Sequence, residues 1–326
     1  MPFSSLFVPS LDSGYLEFFK ALEKEFSSFS ASKDGFLRRL TEYILINSGK
    51  RLRPALTFTA SRFGRADGRE VLEAATAVEM IHISTLVHDD LVDEAVMRRR
   101  KPTVGVQFGD GAGVLLGDYL YAEAFRRLAA LGRPEILRVF ADATLAMCDG
   151  EIGQYEGRYK FDILEKDYFS FLQRKTASLM AASAWAGGAL AGLPPEQLKA
   201  LETFGERIGV AFQVVDDILD LEGDEAETGK TLRTDLLHGK MTLPLIRYGR
   251  NLGSSERTAF HKSLTNPNGQ VPEIIKKVLE SGVMAECRAD VASLLAEAER
   301  ALESLPDHPS RKLLLDISRR LIDRKS

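Results

Sequence analysis

Hydrophobic residues recur along most of the chain at the spacing of an α-helix. Positions i, i+3, i+4 and i+7 are repeatedly apolar, whereas runs in which β-branched residues alternate with polar ones are scarce. This pattern predicts an all-α protein. Pro134 and Pro195 fit the first turns of two helices, where proline is tolerated. The predicted helices cover residues 13–29, 33–47, 53–63, 69–93, 111–131, 134–159, 168–191, 195–221, 243–250, 283–302 and 308–324.

Two long stretches separate predicted helices in the second half of the chain. Residues 222–242 form a glycine- and lysine-containing connection that is long for a helical bundle, and its place after an acidic motif favours a functional loop. Residues 251–271 contain a proline and a glycine and are predicted to be a plain surface excursion. Neither stretch resembles a linker, so we expect a single domain over residues 1–326.

Composition limits the classes of function that the chain can serve. Its 326 residues are 44% hydrophobic, which is enough to bury a large core. The net charge is −4 and the sequence pI is about 5.9. No overall basic field therefore draws the protein to nucleic acid, and basic residues must act locally.

The cysteines and the apolar runs bear on the compartment. Cys148 and Cys287 are the only cysteines, too few for a disulfide framework or a zinc site. We expect both to be buried, unpaired core residues. Residues 1–19 lack the features of a secretory signal, and the longest nearly apolar run, residues 181–193, is too short to cross a bilayer. We therefore expect a cytoplasmic protein without a transmembrane segment.

The most informative motif is an aspartate-rich run that occurs twice. Asp89-Asp90-Leu91-Val92-Asp93 ends one predicted helix, and Asp216-Asp217-Ile218-Leu219-Asp220 ends another. Residues i and i+4 lie on nearly the same helical face, so the first and last aspartates of each run present stacked carboxylates. A hard cation such as Mg²⁺ relieves their repulsion and completes its shell with phosphate oxygens. One run alone could be a solvated helix end, but two predict a polyphosphate held between two helices.

Basic residues near these runs indicate what the metal would serve. Gly49-Lys50-Arg51-Leu52-Arg53-Pro54 places cations just before a helix, where backbone N–H groups favour an anion; a solvated basic turn is the alternative. Arg98-Arg99-Arg100-Lys101 follows the first aspartate run, and the acidic surroundings disfavour a nucleic-acid patch there. His82 lies seven residues before Asp89. It either faces the same cavity or packs in the core.

Taken together, these residues resemble the polyprenyl synthetase family, the trans-isoprenyl diphosphate synthases. The resemblance implies a bundle of about ten or more helices around a central cavity, the type I isoprenoid synthase fold, and a homodimer. It also implies Mg²⁺-dependent head-to-tail condensation of isopentenyl diphosphate with an allylic prenyl diphosphate. The matching pieces are residues 49–54, residues 79–93, Arg98-Arg99, Lys175-Thr176, residues 212–220, Gly229-Lys230 and residues 239–244.

The same resemblance implies roles for individual residues. The residues that would hold isopentenyl diphosphate are Lys50, Arg53, His82 and Arg99. Those that would contact the allylic diphosphate are Arg98, Lys175, Thr176, Gln213, Lys230 and Lys240. The leading Mg²⁺ ligands would be Asp89, Asp93 and Asp216, which with Lys175 and Lys230 form the catalytic set. Asp90, Asp217 and Asp220 would either bind the metal as well or contact the residues that bind it.

Two positions depart from the family pattern. Arg100 and Arg233 stand where the family usually or often has glycine. Both belong to predicted loops, so we expect altered loop geometry or extra phosphate contacts, not lost activity. Every expected metal ligand and cationic partner is otherwise present in the sequence.

The helix that precedes the first aspartate run bears on product length. A chain growing from Asp89 would pass residues four, five, eight and eleven positions earlier, each about 1.5 Å apart along the axis. Those residues are Thr85, Ser84, Ile81 and Val78. Short-chain relatives typically carry an aromatic residue at one of the first two positions, which are small here. We favour a long-chain all-trans product, with Ile81, Phe125 or Met147 as a deeper floor, over farnesyl or geranylgeranyl diphosphate; alternatively, the small residues only pack against a neighbouring helix.

Three other functions compete with this interpretation. A terpene cyclase also ionises a prenyl diphosphate, but it would not need Lys50 and Arg53 and normally lacks the second aspartate run. A non-catalytic subunit of a heteromeric synthase would lack aspartates that this chain retains. The third is a generic metal-binding helical protein. An assay for Mg²⁺-dependent release of pyrophosphate from isopentenyl and farnesyl diphosphate would separate all three.

Overall fold

The structure is a computed structural model. It describes residues 12–46, 49–98, 101–223, 234–265 and 271–322. Within these ranges the only strands form a two-stranded antiparallel hairpin, in which Met97–Arg98 (β1) pairs with Lys101–Pro102 (β2). The all-α prediction is confirmed. No described helix has both the length and the apolar composition that crossing a membrane requires.

The helices follow one another through short connections. Those of the first half are α1 (Ser13–Ala31), α2 (Gly35–Leu45), α3 (Leu52–Ser61), α4 (Gly68–Val92), α5 (Val104–Phe108), α6 (Asp110–Ala130) and α7 (Pro134–Glu156). Those of the second half are α8 (Glu165–Leu172), α9 (Ser178–Leu190), α10 (Pro195–Glu222), α11 (Thr234–Leu237), α12 (Leu243–Asn251), α13 (Ser254–Thr265), α14 (Val271–Glu280), α15 (Val283–Ala301) and α16 (Pro309–Ile322). A π-helical turn, Gln173–Ala177, joins α8 to α9, and a 3-10 turn, Leu302–Ser304, follows α15.

Local sequence explains where several helices begin. The Asp67 side chain accepts hydrogen bonds from the backbone N–H groups of Arg69 (2.7 Å) and Glu70 (3.2 Å), which caps α4. Pro134 and Pro195 lie in the first turns of α7 and α10, as predicted. The long helices that carry the motifs are thus defined by their own termini.

Three parts of the helix pattern differ from the prediction. Residues 251–271 are not a plain excursion, because α13 occupies most of the stretch and packs Phe260 and Leu264 into the core. Its few apolar residues hid this helix in the sequence. The helix predicted over residues 168–191 begins earlier, at Glu165, and is interrupted by the π-helical turn. The helices α5, α11 and α14 were not predicted, and the short α11 lies within the connection predicted over residues 222–242.

The buried side chains form two hydrophobic clusters that share α10. Phe204 and Ile208 of this helix belong to the cluster built with α1, α3, α4, α6, α7 and α9. Val214 and Ile218 belong to a second cluster, built with α8 and the helices from α11 to α15. The second aspartate run lies on the part of α10 that packs in the second cluster.

Helices α4 and α6 pack in opposite directions at close range. The Ser84 hydroxyl donates to the Gly117 carbonyl oxygen at 2.8 Å, and His88 Nε2 lies 3.3 Å from the Val114 carbonyl oxygen. A Cβ atom at Gly117 would lie 2.1 Å from His88 Nε2, so a larger residue there would displace the His88 side chain. This contact fixes the wall on one side of the first aspartate run.

The two cysteines lie in different environments. Both are unpaired, and Cys287 is buried, as predicted. Cys148 is exposed, so the prediction of a buried residue was wrong there. It lies on α7, whose outward face carries further apolar residues, and its neighbours in sequence therefore resemble those of a core position.

Candidate active site

Both aspartate runs lie at the carboxyl ends of their helices. Asp89 and Asp90 occupy the last turn of α4, and Asp93 is its C-cap residue. The second run lies near the end of α10, two residues before Glu222. The carboxyl end of a helix carries partial negative charge, so carboxylates there are disfavoured unless cations compensate them. The site should therefore be rich in basic side chains, and it is.

Two cations meet at Asp93. The Lys240 ammonium lies 2.7 Å from Asp93 Oδ2, and the Arg158 guanidinium donates to Oδ1. Burial by itself would raise the pKa of Asp93, but the charge of Lys240, its hydrogen bond and the charges of Lys175 and Arg158 outweigh burial and lower the pKa. The backbone N–H of Tyr159 donates to the Gly239 carbonyl oxygen at 2.9 Å, which brings the two cations together.

The carboxyl of Asp89 has less compensation. Burial raises its pKa to about 6, although the charge of Lys175 opposes the shift. Glu151 and Asp93 add like charge. The positive charges near Asp89 thus do not fully offset the effect of burial on its carboxyl group.

Asp90 turns away from this cluster. It is 5% exposed, and its Oδ1 accepts a hydrogen bond from Arg98 Nε at 2.7 Å. Arg98 was predicted to contact the allylic diphosphate. In this structure it forms an ion pair with Asp90, and its charge also acts on Asp89.

The π-helical turn places two predicted ligands between the aspartate runs. The Lys175 ammonium forms an ion pair with Glu151 of α7, and its charge acts on Asp89 and Asp93. The next residue, Thr176, donates to the Gln213 side-chain oxygen of α10 at 3.3 Å. π-helical turns are frequent at functional sites. Here the turn presents consecutive side chains to the first and second runs.

The second run is anchored through Asp217. The Tyr168 hydroxyl donates to its Oδ2 at 2.6 Å, and Gln213 Nε2 donates to its Oδ1 at 3.3 Å. Burial raises the pKa of Asp217 to about 8, and the charge of Asp235 adds to the shift. Asp216 and Asp220 are partly exposed, whereas Asp217 is buried, as the helical spacing of the run predicts.

Two segments therefore link the two runs. Lys175 and Thr176 form the first link. The second is Lys240, whose ammonium lies 2.7 Å from Asp93 Oδ2 and 3.8 Å from Asp235 Oδ1; the charge of Asp235 in turn acts on Asp217. Among the described residues, no three His, Cys, Asp or Glu side chains form a group that could hold a metal ion alone. Water and phosphate oxygens would have to complete the shell of a divalent cation bound by these aspartates.

The basic turn before α3 is anchored by a buried arginine, Arg51. Arg51 adopts a left-handed backbone conformation (φ 51°) and its side chain is buried. Its guanidinium pairs with Glu23 (2.8 Å) and Glu79 (3.2 Å) and donates to the Leu45 carbonyl oxygen at 2.6 Å. Sequence reasoning did not assign this role, although the glutamate in the predicted α4 helix was a signal. By contrast, the Lys50 side chain is exposed.

Arg53 and His82 are partly buried on α3 and α4, two helices that pack together. They are compatible with one anion site beside the first aspartate run. Four positions named from the sequence lie outside the described residues. They are Arg99, Arg100, Lys230 and Arg233.

The positions predicted to set product length differ in orientation. Ser84 is fully buried against α6, whereas Thr85 is partly exposed and bonds back to the His82 carbonyl oxygen at 2.7 Å. Ile81 and Val78 are fully buried in the core. Tyr121, which sequence reasoning missed, has its ring centroid 5.9 Å from that of His88.

Other site residues that the motifs did not reveal come from neighbouring helices. Glu151 and Gln154 of α7 contact Lys175, and Tyr168 of α8 contacts Asp217. Arg158 follows α7. Polar residues on otherwise helical, amphipathic segments were the only sequence signal, and they do not specify which partner a side chain meets.

Comparison with known proteins places this site in a family. The sequence profile of the polyprenyl synthetase family matches residues 34–281. The chain is 36% identical over 301 residues to heptaprenyl diphosphate synthase component 2 of Geobacillus stearothermophilus, covering 91% of this chain and 93% of that protein. It is 35% identical over 292 residues to octaprenyl diphosphate synthase of Escherichia coli K12, covering 88% and 90%.

Solved structures agree with the sequence comparison. The crystal structure of polyprenyl synthase from Caulobacter crescentus CB15, complexed with calcium and isoprenyl diphosphate, superposes with a TM-score of 0.90 at 29% identity and covers 95% of both chains. The all-α fold is thus shared with that synthase. The chain belongs to the polyprenyl synthetase family and is a trans-prenyltransferase.

Proposed function

We propose that the protein condenses isopentenyl diphosphate head-to-tail with an allylic prenyl diphosphate, yielding a long-chain all-trans polyprenyl diphosphate and releasing diphosphate. The observation that carries this proposal is the double link between the aspartate runs, through Lys175-Thr176 and through Lys240. The names of the heptaprenyl and octaprenyl synthases above support a long product.

Mg²⁺ is the metal we propose. Its ligands are Asp89, Asp93 and Asp216, with Asp220 in reach of the same face of α10. The raised pKa of Asp89 supports this choice, because a sheltered carboxylate is satisfied by a divalent cation. When bound, the metal stabilises the negative charge that develops on the leaving diphosphate. The buried contacts of Asp90 and Asp217 favour supporting roles for these two residues.

The residues of the chain act on the charges of the reaction. Cleavage of the allylic C–O bond leaves a carbocation and moves the bonding electron pair to the diphosphate. The cations of Lys175 and Lys240, with Arg98 and Lys230, stabilise that anion where its charge develops. Thr176 and Gln213 orient it from the side of the second run.

The second substrate is proposed to bind at the basic turn. Arg51 holds the turn through its buried ion pairs, and we propose that Lys50, Arg53, His82 and Arg99 bind the diphosphate of isopentenyl diphosphate. Held there, its double bond attacks the carbocation and forms the new C–C bond. A proton then leaves the isopentenyl unit, and the released diphosphate accepts it.

The test is a reaction with defined substrates. Purified protein is incubated with isopentenyl diphosphate, farnesyl diphosphate and Mg²⁺, released pyrophosphate is measured, and the product is sized by chromatography. We expect pyrophosphate release that requires both substrates and a product longer than geranylgeranyl diphosphate. Release from farnesyl diphosphate alone would indicate a cyclase, and no release would contradict the proposal.

We also propose a homodimer through the outer faces of α6 and α7. Four large apolar side chains there are 47% to 70% exposed: Val114, Leu115, Leu145 and Ile152. Such a patch is large for a free surface and suits a second copy of the chain. Light scattering of the purified chain tests this, and a monomeric mass would contradict it. The single domain over residues 1–326 and the cytoplasmic location remain predictions.

A further inference from the structure

The Lys175 ammonium is anchored by two side chains of α7. Glu151 forms an ion pair with it, and the Gln154 side-chain oxygen lies 2.9 Å from it. The side chains of Lys175 and Glu151 are only 22% and 20% exposed. In such a sheltered place charges interact more strongly than they do in water.

The backbone fixes this arrangement. A Cβ atom at Gly150 would lie 2.8 Å from the Lys175 backbone nitrogen and 3.0 Å from Arg174 Cβ, so α7 and the π-helical turn touch at backbone distance. Glu151 follows Gly150 directly, and Gln154 lies one turn further along the same helix. The position of the ammonium relative to α7 is therefore set by rigid elements.

The charges around the ammonium pull in opposite directions. Asp89 and Asp93 attract it from α4, and Glu151 attracts it from α7. Without the charge of Glu151, the ammonium would be drawn towards the aspartates, where it would compete with a divalent cation for the same carboxylates.

We propose that Glu151 is a positioning residue that holds Lys175 away from the aspartate pair. Lys175 then does not compete with the metal for Asp89 and Asp93, and its ammonium is left for the diphosphate. Gln154 is the second, neutral anchor. This inference rests on the proposed function, since it concerns the same diphosphate site.

A double-mutant cycle tests it, with inorganic pyrophosphate as the probe. Binding of pyrophosphate at fixed Mg²⁺ concentrations is measured by isothermal titration calorimetry for the unmodified protein, Glu151→Gln, Lys175→Met and the double variant. We expect Glu151→Gln to weaken binding about ten-fold and to raise the Mg²⁺ concentration needed for half-maximal binding, in the range of coupling between contacting charges. In the Lys175→Met background the same change should have little further effect, because Glu151 acts through the ammonium.

Matched controls separate positioning from folding. Glu156→Gln removes a glutamate of the same helix that pairs with Lys160 at the surface, and we expect binding to be unchanged. Glu151→Asp retains the charge and should retain most of the binding. If Glu151→Gln does not fold, as judged by thermal unfolding, Gln154→Leu tests the second anchor and should weaken binding in the same direction.

Two outcomes overturn the inference in distinguishable ways. Equal losses from Glu151→Gln in both backgrounds, or no loss, would overturn the positioning role and leave the proposed function intact. If the unmodified protein binds no pyrophosphate with Mg²⁺, both proposals fail. Binding that follows the expected cycle without any condensation reaction would contradict the proposed function alone.

Discussion

The two aspartate runs share one sequence pattern but have different surroundings. In the first run, Asp93 contacts two cations, Lys240 and Arg158, and its pKa is lowered. In the second, Asp217 is bonded to two neutral donors, Tyr168 and Gln213, and its pKa is raised to about 8. The first run thus carries part of its own charge compensation. The second is anchored at Asp217 by uncharged hydrogen-bond donors.

The largest effect on activity is expected from replacing the leading aspartate of either run, and the two losses should be equal. Asp89→Ala and Asp216→Ala should each lower kcat/KM by on the order of 10³-fold, because both leading carboxylates serve the same leaving group. Steady-state assays with farnesyl and isopentenyl diphosphate measure this. Thermal unfolding should show an intact fold, since burial raises the pKa of Asp89 and its charge therefore adds little stability, and Asp216 is only partly buried. Near-normal turnover in one variant alone would show that only one run binds metal.

Product length should depend on α4 and not on α10. The residue four positions before Asp89 is Thr85, whereas Phe212 occupies the same position before Asp216. Thr85→Phe should therefore shorten the product, as sized by chromatography. Ser84→Phe should instead destabilise the protein by about 1–3 kcal/mol, because Ser84 is packed against Gly117. An unchanged chain-length profile in Thr85→Phe would refute a tunnel along α4.

The second aspartate of each run is buried, and replacing it by asparagine should lower the unfolding free energy by different amounts in the two runs. Asp90→Asn removes the charged partner of Arg98, which is 34% exposed, and should cost about 1–2 kcal/mol of unfolding free energy. Asp217→Asn should cost less, because its raised pKa leaves the native carboxyl largely protonated at neutral pH. Chemical denaturation in the presence of a chelator measures both. A larger loss in Asp217→Asn would contradict the comparison.

A pH dependence of stability is also expected from the second run. The folded-state pKa of Asp217 lies above its usual value, so the folded protein binds more protons there than the unfolded chain does. Stability from this group is therefore complete below about pH 4 and is lost as the pH rises through about 8. Metal-free protein should lose more unfolding free energy over this range than Asp217→Asn, with all other groups in common. If the unfolding free energies of the two proteins changed in parallel with pH, the raised pKa of Asp217 would be contradicted.

The sequence was most informative where a pattern repeats at the helical period. The apolar spacing predicted the long helices, including α4, α7 and α10, within a few residues of their observed bounds. It missed α13 because that helix is mostly polar and buries few apolar side chains. The π-helical turn was not predicted either, because nothing in the local pattern of apolar residues distinguishes it from a continuous α-helix.

The sequence alone determined the fold class, the paired aspartates and the cations beside them, because each depends on residues close together along the chain. Only the tertiary structure decided which aspartate meets which partner. Lys240 and Asp93 are 147 residues apart, and Tyr168 and Asp217 are 49 apart. Such contacts arise from the packing of helices, and burial then sets the charge of each carboxyl. For this reason two identical motifs became two electrostatically different halves of one site.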